Sequence, residues 1–184
     1  MQVLVSVELT VEQYVEQGFH RRVRPPQRCG NCGRSGTLKP HGSYGRDTTG
    51  ALGDPIRFRV ARFLCKPPCE TTTSCLPSFA QPYRLVANET IQAFVEDDTQ
   101  RLDVQHNDGL LKRYLKRFAG WQRSLRGIAG NRFGRGPPKE TATAFWRRAV
   151  AACGSLAELT LRLVQEFRTT CFGTYRCHQP SCAR

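Results

Sequence analysis

The chain has 184 residues, of which 39% are hydrophobic, and 28 Lys and Arg against 15 Asp and Glu give it a formal net charge of +13 at pH 7. A chain of this size buries a modest core and leaves little for a large catalytic domain. No apolar run reaches the roughly 18 residues of a membrane span, so we expect no membrane partner. The excess of basic residues instead predicts a polyanionic partner, with nucleic acid favoured over an anionic membrane surface.

The amino-terminal residues predict a strand followed by a short helix. Apolar residues are concentrated between Val3 and Leu9, and Thr10 with Gln13 has the spacing of a helix capping box. Gly18 predicts the end of this helix. Glutamates occur in this segment where a secretory signal peptide needs an apolar core, so we expect a cytoplasmic protein.

Two pairs of cysteines are the strongest signal in the sequence. Cys29 and Cys32 are separated by two residues, whereas Cys65 and Cys69 are separated by three. Four thiolates in two short knuckles form the ligand set of a tetrahedral structural Zn²⁺ site, so we predict a zinc ribbon with these four ligands. The alternatives are disulfides or free thiols; disulfides are typical of small secreted domains rather than of cytoplasmic proteins.

Residues 56–64 predict the strand that enters the second knuckle, and residues 37–44 predict the strand that leaves the first. Three arginines of the former, Arg57, Arg59 and Arg62, are interleaved with apolar and aromatic residues. Arginine beside aromatic residues suits phosphate binding combined with base stacking. We therefore expect a basic nucleic-acid-binding surface on the ribbon.

A helix-turn-helix region is predicted over residues 87–126. Its first helix begins near Asn88, a good N-cap residue, and residues 106–109 predict a break. Residues 110–118 then predict a helix that is apolar on one side and cationic on the other. Lys112 with Lys116 and Arg113 with Arg117 are like-charged pairs at i,i+4. Each pair destabilises an isolated helix by about 0.2–0.5 kcal/mol, a cost that an external polyanion would offset. We predict that this helix faces the major groove of duplex DNA, the alternative being an ordinary surface helix. The contacting residues would be Lys112, Arg113, Lys116 and Arg117.

The rest of the chain predicts a basic, Gly/Pro-rich linker over residues 127–139, a helical pair over 140–168 and a cysteine-rich tail over 169–184. Ser155 and Glu158 have the spacing of a capping box for the second helix of the pair. The tail contains Cys171, Cys177, His178 and Cys182. These are enough ligands for a second metal ion, but their spacing is unusual, and a reactive or disordered tail is the favoured alternative.

The sequence predicts no enzyme activity and no small-molecule substrate. Nucleic-acid-cleaving enzymes with an RNase H-like sheet hold two divalent metals with three carboxylates, and the alternation of strands and helices that would build such a sheet is lacking. Glu96, Asp97 and Asp98 are adjacent on one predicted helix, so their side chains diverge and are expected to face solvent.

Six motifs carry a resemblance to a known family. They are Thr10-Val11-Glu12-Gln13-Tyr14, Cys29-Gly30-Asn31-Cys32-Gly33, His41-Gly42-Ser43-Tyr44, Arg62-Phe63-Leu64-Cys65, Leu76-Pro77-Ser78-Phe79-Ala80-Gln81-Pro82-Tyr83 and Leu115-Lys116-Arg117-Phe118. With them the chain resembles a bacterial family of largely uncharacterised proteins related to insertion-sequence transposases, in which a four-cysteine ribbon precedes a proline-rich strap and a helix-turn-helix. The chain departs from that pattern in the longer second knuckle and in Cys75. The second knuckle has three residues between its cysteines where the family usually has two, which puts the assignment of Cys69 as a ligand in question. His41 lies inside the predicted ribbon and is the alternative ligand if Cys69 does not bind.

These observations predict an α+β fold. Residues 1–86 would form the amino-terminal strand, helix and zinc ribbon, followed by the helix-turn-helix, linker, helical pair and tail. The expected function is that of a zinc-dependent DNA-binding protein, transposase-related or regulating transcription, without its own catalytic domain. One alternative is a zinc-ribbon RNA-binding protein in which Phe63, Tyr83 or Trp146 stacks on bases. Another is a fragment or accessory subunit of a transposase.

Overall fold

The computed structural model describes residues 1–175 and has the predicted α+β fold. Its elements are β1 (Gln2–Val5), α1 (Val11–Glu16), a short 3-10 helix (Phe19–Arg21), β2 (Leu38–Thr49), β3 (Pro55–Cys65), β4 (Thr72–Pro77), α2 (Asn88–Val95), α3 (Leu102–Ala129), α4 (Ala142–Cys153), α5 (Leu156–Phe167), β5 (Thr169–Thr170) and β6 (Gly173–Thr174). Three of the tail residues considered as metal ligands, Cys177, His178 and Cys182, lie outside the described residues. No helix within residues 1–175 is long and apolar enough to cross a membrane.

The first of two compact units comprises Met1–Asp47 and Ile56–Pro77. Its sheet has the strand order β1-β4-β3-β2, with β1 parallel to β4 and β3 antiparallel to β4. The predicted capping box at α1 is confirmed, because Thr10 and Gln13 exchange side-chain to backbone hydrogen bonds. Tyr14 of α1 is buried beside Phe58, and its hydroxyl donates to the carbonyl of Arg59 at 3.1 Å. This packing holds α1 against β3.

The second unit comprises Thr48–Pro55 and Ser78–Tyr175. Helices α2 to α5 share one hydrophobic core, in which the Phe118 and Trp146 rings stack with centroids 4.3 Å apart. The predicted helical pair is confirmed as α4 and α5, and Ser155 caps α5 by accepting a hydrogen bond from the backbone of Glu158 at 3.1 Å. The helical segments expected as separate regions are therefore parts of one packed unit.

The predicted break at residues 106–109 is wrong, because α3 runs without interruption through this segment as a helix of 28 residues. Each break-favouring side chain has a partner within the unit. His106 Nδ1 lies 2.9 Å from the carbonyl of Leu52, Asn107 donates to the carbonyl of Asp103 at 2.8 Å, and Asp108 pairs with Lys112 at 2.8 Å. The buried residues of α3 recur at helical spacing on both sides of the segment, so tertiary packing overrides the local preference for a turn. They are Val104, Leu111, Tyr114, Phe118, Leu125 and Ala129.

The connection between α3 and α4 begins later than the linker predicted over residues 127–139 and packs against the helical unit. The helix α3 extends to Ala129, and Phe133 is buried in the helical core. Arg148 donates to the carbonyls of Phe133 and Gly134, both at 2.5 Å, and pairs with the carboxylate of Glu140 at 2.8 Å. A buried aromatic ring and the hydrogen bonds of Arg148 therefore connect this segment to the helical core.

Candidate metal centre and basic surfaces

The four predicted ligands meet in one cluster. The sulfur atoms of Cys29, Cys32, Cys65 and Cys69 all lie within 4.8 Å of one another. The Sγ atoms of Cys29 and Cys69 are 3.8 Å apart, and those of Cys32 and Cys65 are 3.7 Å apart. Both separations are far longer than the roughly 2.05 Å of a disulfide, and all four cysteines are free. Four thiols at this spacing form a group that could bind a metal ion.

The first knuckle is shaped by a tight turn around the cluster. The Gly33 amide donates to the carbonyl of Cys29 at 2.8 Å, and Gly33 has a φ of +73°, which a side chain would disfavour. Arg34 follows at once and donates to the carbonyls of Lys66 and Pro67, both at 3.1 Å. Arg34 therefore ties the first knuckle to the second by charge-assisted hydrogen bonds.

The second knuckle accommodates its extra residue without moving Cys69 out of the cluster. It leaves β3 at Cys65, whose amide donates to the carbonyl of Thr71 at 3.0 Å, and the following Lys66 amide donates to Thr37 at 2.9 Å. After Cys69 the chain turns through Glu70, which has a left-handed φ of +49°. His41 is not a member of the cluster, so the alternative in which it replaces Cys69 finds no support in the geometry.

Hydrogen bonds to sulfur distinguish the thiols electrostatically. The Asn31 amide donates to Cys69 Sγ at 3.4 Å, and this bond, together with hydrogen bonds from Thr71, lowers the pKa of that thiol to about 6. Bonds from Arg34 lower the pKa of Cys32. The Thr37 hydroxyl lies 3.2 Å from Cys65 Sγ and favours its thiolate, yet burial and the neighbouring sulfurs raise the pKa of Cys65 to about 11. Four adjacent thiolates repel one another, and a bound cation would relieve that repulsion.

The four cysteines of the cluster could be predicted from their spacing, whereas Asn31, Arg34 and Thr37, which hydrogen-bond to the sulfur atoms or to the knuckles, were missed. Donors beside thiolate ligands are typical of metal sites, so polar residues next to each knuckle were the available signal. Cys75 has a different role. It is buried in β4 beside the cluster, outside the ligand group, and burial raises the pKa of its thiol to about 12.

The predicted basic residues of β3 fall into two groups. Arg57 pairs with Asp47 at 3.4 Å, whereas Arg59 and Arg62 form no ion pair with a residue of the described chain. Arg59 donates to the hydroxyl of Ser43 at 2.9 Å. With His20 and Arg21, Arg59 and Arg62 line a cleft of about 520 Å³, here named the sheet cleft, and no Asp or Glu among the described residues lines it. Partial burial and then the charges of Arg21 and Arg59 lower the pKa of His20.

The predicted basic residues of the helical unit lie in the middle of α3, on the side opposite its buried residues. Lys112 pairs with Asp108, while Arg113 Nε donates to the carbonyl of Gly109 at 3.3 Å. Lys116 is exposed, and neither it nor Arg113 forms an ion pair with a described residue. Arg117 differs from the other three because its Nε donates to the carbonyl of Phe172 at 3.1 Å, and its side chain lines a separate cleft.

Comparison with known proteins gives one family match. The family described as Domain of unknown function (DUF6431) matches residues 29–117, just under half of the chain. The match begins at the first cysteine of the cluster and ends at Arg117. Searches of the curated proteins and of the solved structures found no match.

Proposed function

We propose that the protein is a zinc-dependent DNA-binding protein without its own catalytic domain, related to insertion-sequence transposases or regulating transcription. The observation that carries the proposal is the cluster of four cysteine thiols held between two knuckles of a strongly basic chain. The family match overlaps five of the six motifs that carry the transposase resemblance, and its description names no function.

Zinc fits the two sulfur separations that lie across the knuckles. In a regular tetrahedron with Zn–S bonds of about 2.3 Å, adjacent sulfur atoms are about 3.8 Å apart. The measured separations are 3.8 Å for Cys29 and Cys69 and 3.7 Å for Cys32 and Cys65. Four thiolates also suit iron, so elemental analysis has to discriminate between the two metals. All four ligands come from the protein, which is typical of a structural rather than a catalytic zinc.

Metal analysis tests this part of the proposal. We expect one zinc per chain in the purified protein and loss of that zinc in Cys69→Ser, with the first unit losing its fold. Cys153→Ser is the matched control, because Cys153 is a free cysteine of α4 outside the cluster. Iron in place of zinc, or full metal content in Cys69→Ser, would contradict the assignment.

Contacts to DNA phosphates are supported by the cations that lack an ion pair within the described chain. In the helix-turn-helix interpretation, the turn is the segment at residues 96–101 between α2 and α3, instead of the predicted break at residues 106–109. The cations of α3 begin at Lys112, well after the helix start at Leu102. Recognition helices read base edges mainly with their amino-terminal residues, so we assign Arg113 and Lys116 to phosphate contacts. Arg59 and Arg62 in the sheet cleft would supply a second set.

The salt dependence of duplex binding tests these contacts. For Z neutralised phosphates, log K falls with log salt at a slope near −0.9Z. The double variant Arg113→Ala/Lys116→Ala should therefore make the slope shallower by about two units, as should Arg59→Ala/Arg62→Ala. Arg132→Ala/Arg162→Ala removes the same charge from exposed arginines that pair with Glu166 and Glu158. An equal change in the control would show that only net charge matters.

Two of the three aromatic rings considered for base stacking in the RNA-binding alternative are buried. Phe63 is 3% exposed and Trp146 is 1% exposed, so neither ring can stack on a base. Tyr83 is 62% exposed and remains available. Comparing duplex DNA, single-stranded DNA and RNA at two salt concentrations separates the alternatives, because stacking on Tyr83 would favour the single strands.

A further inference from the structure

A second basic cleft lies entirely within the helical unit. It has a volume of about 480 Å³, within the usual range for small-ligand sites. We name it the helix cleft, and no Asp or Glu among the described residues lines it. Its lining includes Tyr83, Arg84, Arg117, Trp121 and Phe172.

The two arginines of the helix cleft are held in place by their surroundings. The Arg84 guanidinium lies over the Phe172 and Tyr114 rings, 5.2 and 5.6 Å from their centroids, and Nη1 donates to the carbonyl of Tyr83 at 2.8 Å. Arg117 is anchored through Nε to the carbonyl of Phe172. Its two terminal nitrogens have no hydrogen-bond partner among residues 1–175. Such preorganised guanidinium groups suit the oxygens of a phosphate.

The electrostatics of the cleft also favour an anion. Burial lowers the pKa of Arg84, and the positive charge of Arg117 lowers it further. The two cations are therefore close enough to repel each other in a partly desolvated site. An anion placed between them would convert this repulsion into two attractions.

Beside the arginines, the chain presents an exposed aromatic ring. Tyr83 has a left-handed φ of +57°, an uncommon conformation for a residue with a large side chain. The turn is closed by the Arg84 amide, which donates to the carbonyl of Gln81 at 3.1 Å. The Tyr83 ring lies beside the Tyr175 ring, with centroids 5.8 Å apart and the planes tilted by 49°, yet Tyr83 stays largely exposed. An aromatic ring next to a phosphate site is suited to stacking on a base.

We propose that the helix cleft binds a nucleotide, with its phosphate on Arg84 and Arg117 and its base stacked on Tyr83. This site is independent of the metal cluster and of the proposed duplex contacts by Arg113 and Lys116. It gives Arg117 a different role from its neighbours on α3. The nucleotide could be free or could be a unit of a single strand, since both present the same phosphate and base.

Binding to the intact protein tests the proposal, with Trp121 in the cleft as the fluorescent reporter. We expect saturable binding of adenosine monophosphate. Adenosine should bind with an affinity at least about tenfold lower, because the nucleoside lacks the phosphate. Arg117→Gln should weaken binding of the monophosphate about 10- to 100-fold. Arg123→Gln is the matched control, since Arg123 is exposed on the same helix and does not line the cleft.

Two further variants separate this site from the proposed duplex interface. Tyr83→Ala should weaken binding of adenosine monophosphate more than binding of inorganic phosphate, whereas Arg113→Ala/Lys116→Ala should leave nucleotide binding unchanged. Competition by a short single-stranded oligonucleotide would identify a strand as the source of the nucleotide, and lack of competition would identify the free nucleotide. Equal affinities of Arg117→Gln and the wild type, or equal binding of adenosine and its monophosphate, would overturn the proposal.

Discussion

The buried carboxylate at the start of α3 offers a sharp test of how the helical unit holds its basic helix. Asp103 is 1% exposed and accepts hydrogen bonds from Arg101 Nε at 3.0 Å, Arg101 Nη2 at 2.8 Å and Thr90 Oγ1 at 2.7 Å. Because Thr90 belongs to α2, this network links the two helices across the turn at residues 96–101. The variant Asp103→Asn keeps the size of the side chain and removes its charge.

The expected loss of stability in Asp103→Asn follows from the burial of this carboxylate. Breaking a buried ion pair by removing one partner costs about 3–5 kcal/mol. Arg101 is partly exposed and retains Glu89 as a second partner at 3.2 Å, so we reduce the expected loss to about 2–4 kcal/mol. Glu89→Gln is the matched control, because it removes an exposed carboxylate from the same arginine and should cost about 0–1 kcal/mol.

Urea unfolding followed by tryptophan fluorescence measures both effects, since Trp121 and Trp146 both lie in this unit. Burial alone would raise the pKa of Asp103, but the hydrogen bonds from Arg101 and Thr90 outweigh it and hold the pKa below its usual value. The contribution is therefore present above the unfolded-state pKa of about 3.9 and is lost as the pH falls through the folded-state value. A loss in Asp103→Asn no larger than in Glu89→Gln, or a difference from wild type that persists undiminished in strong acid, would refute this reasoning.

Three smaller predictions concern α3, the loop residue Gly53 beside it and the cysteine cluster. Gly109→Ala should stabilise the helical unit by about 0.5–1 kcal/mol, measured by urea unfolding, because Gly109 is within α3 and a Cβ atom there meets open space. Gly53→Ala should destabilise the same unit, because Gly53 has a φ of +87° and a Cβ atom would lie 2.8 Å from the Cβ of His106. Arg34→Ala should weaken metal affinity about 10- to 100-fold in chelator competition, whereas Arg24→Ala, at an exposed arginine before the first knuckle, should not.

The features that could be predicted from the sequence are those encoded by residues close to one another in the chain. Cysteine spacing gave the four members of the cluster, and the strand predicted over residues 56–64 is confirmed as β3. The capping residues Thr10 and Ser155 were recognisable because a cap depends on residues three positions apart. The helical pair predicted over residues 140–168 likewise had a local signal in the capping-box spacing of Ser155 and Glu158 and is found as α4 and α5.

Features that depend on distant residues were missed or misjudged. The turn signal at residues 106–109 was outweighed by partners such as Leu52, which lies far from His106 in sequence. The parallel pairing of Leu4 with Leu76 and the meeting of Arg84, Arg117 and Phe172 in one cleft likewise require the folded chain. No periodicity within a short window encodes such contacts, because their loops close only when the core forms.

Several arginines of the helical unit are committed to ion pairs within that unit. Arg126 and Arg148 surround the carboxylate of Glu140, and Arg101 is committed to Asp103, so these charges are used to hold the helical unit together. The cations proposed for anion binding lie instead at the sheet cleft, the middle of α3 and the helix cleft. The sheet cleft is built on β3, which ends at Cys65 of the cysteine cluster, whereas the helix cleft shares no residue with that cluster. Metal removal should therefore impair anion binding at the sheet cleft and spare the helix cleft, so chelation separates the two basic clefts experimentally.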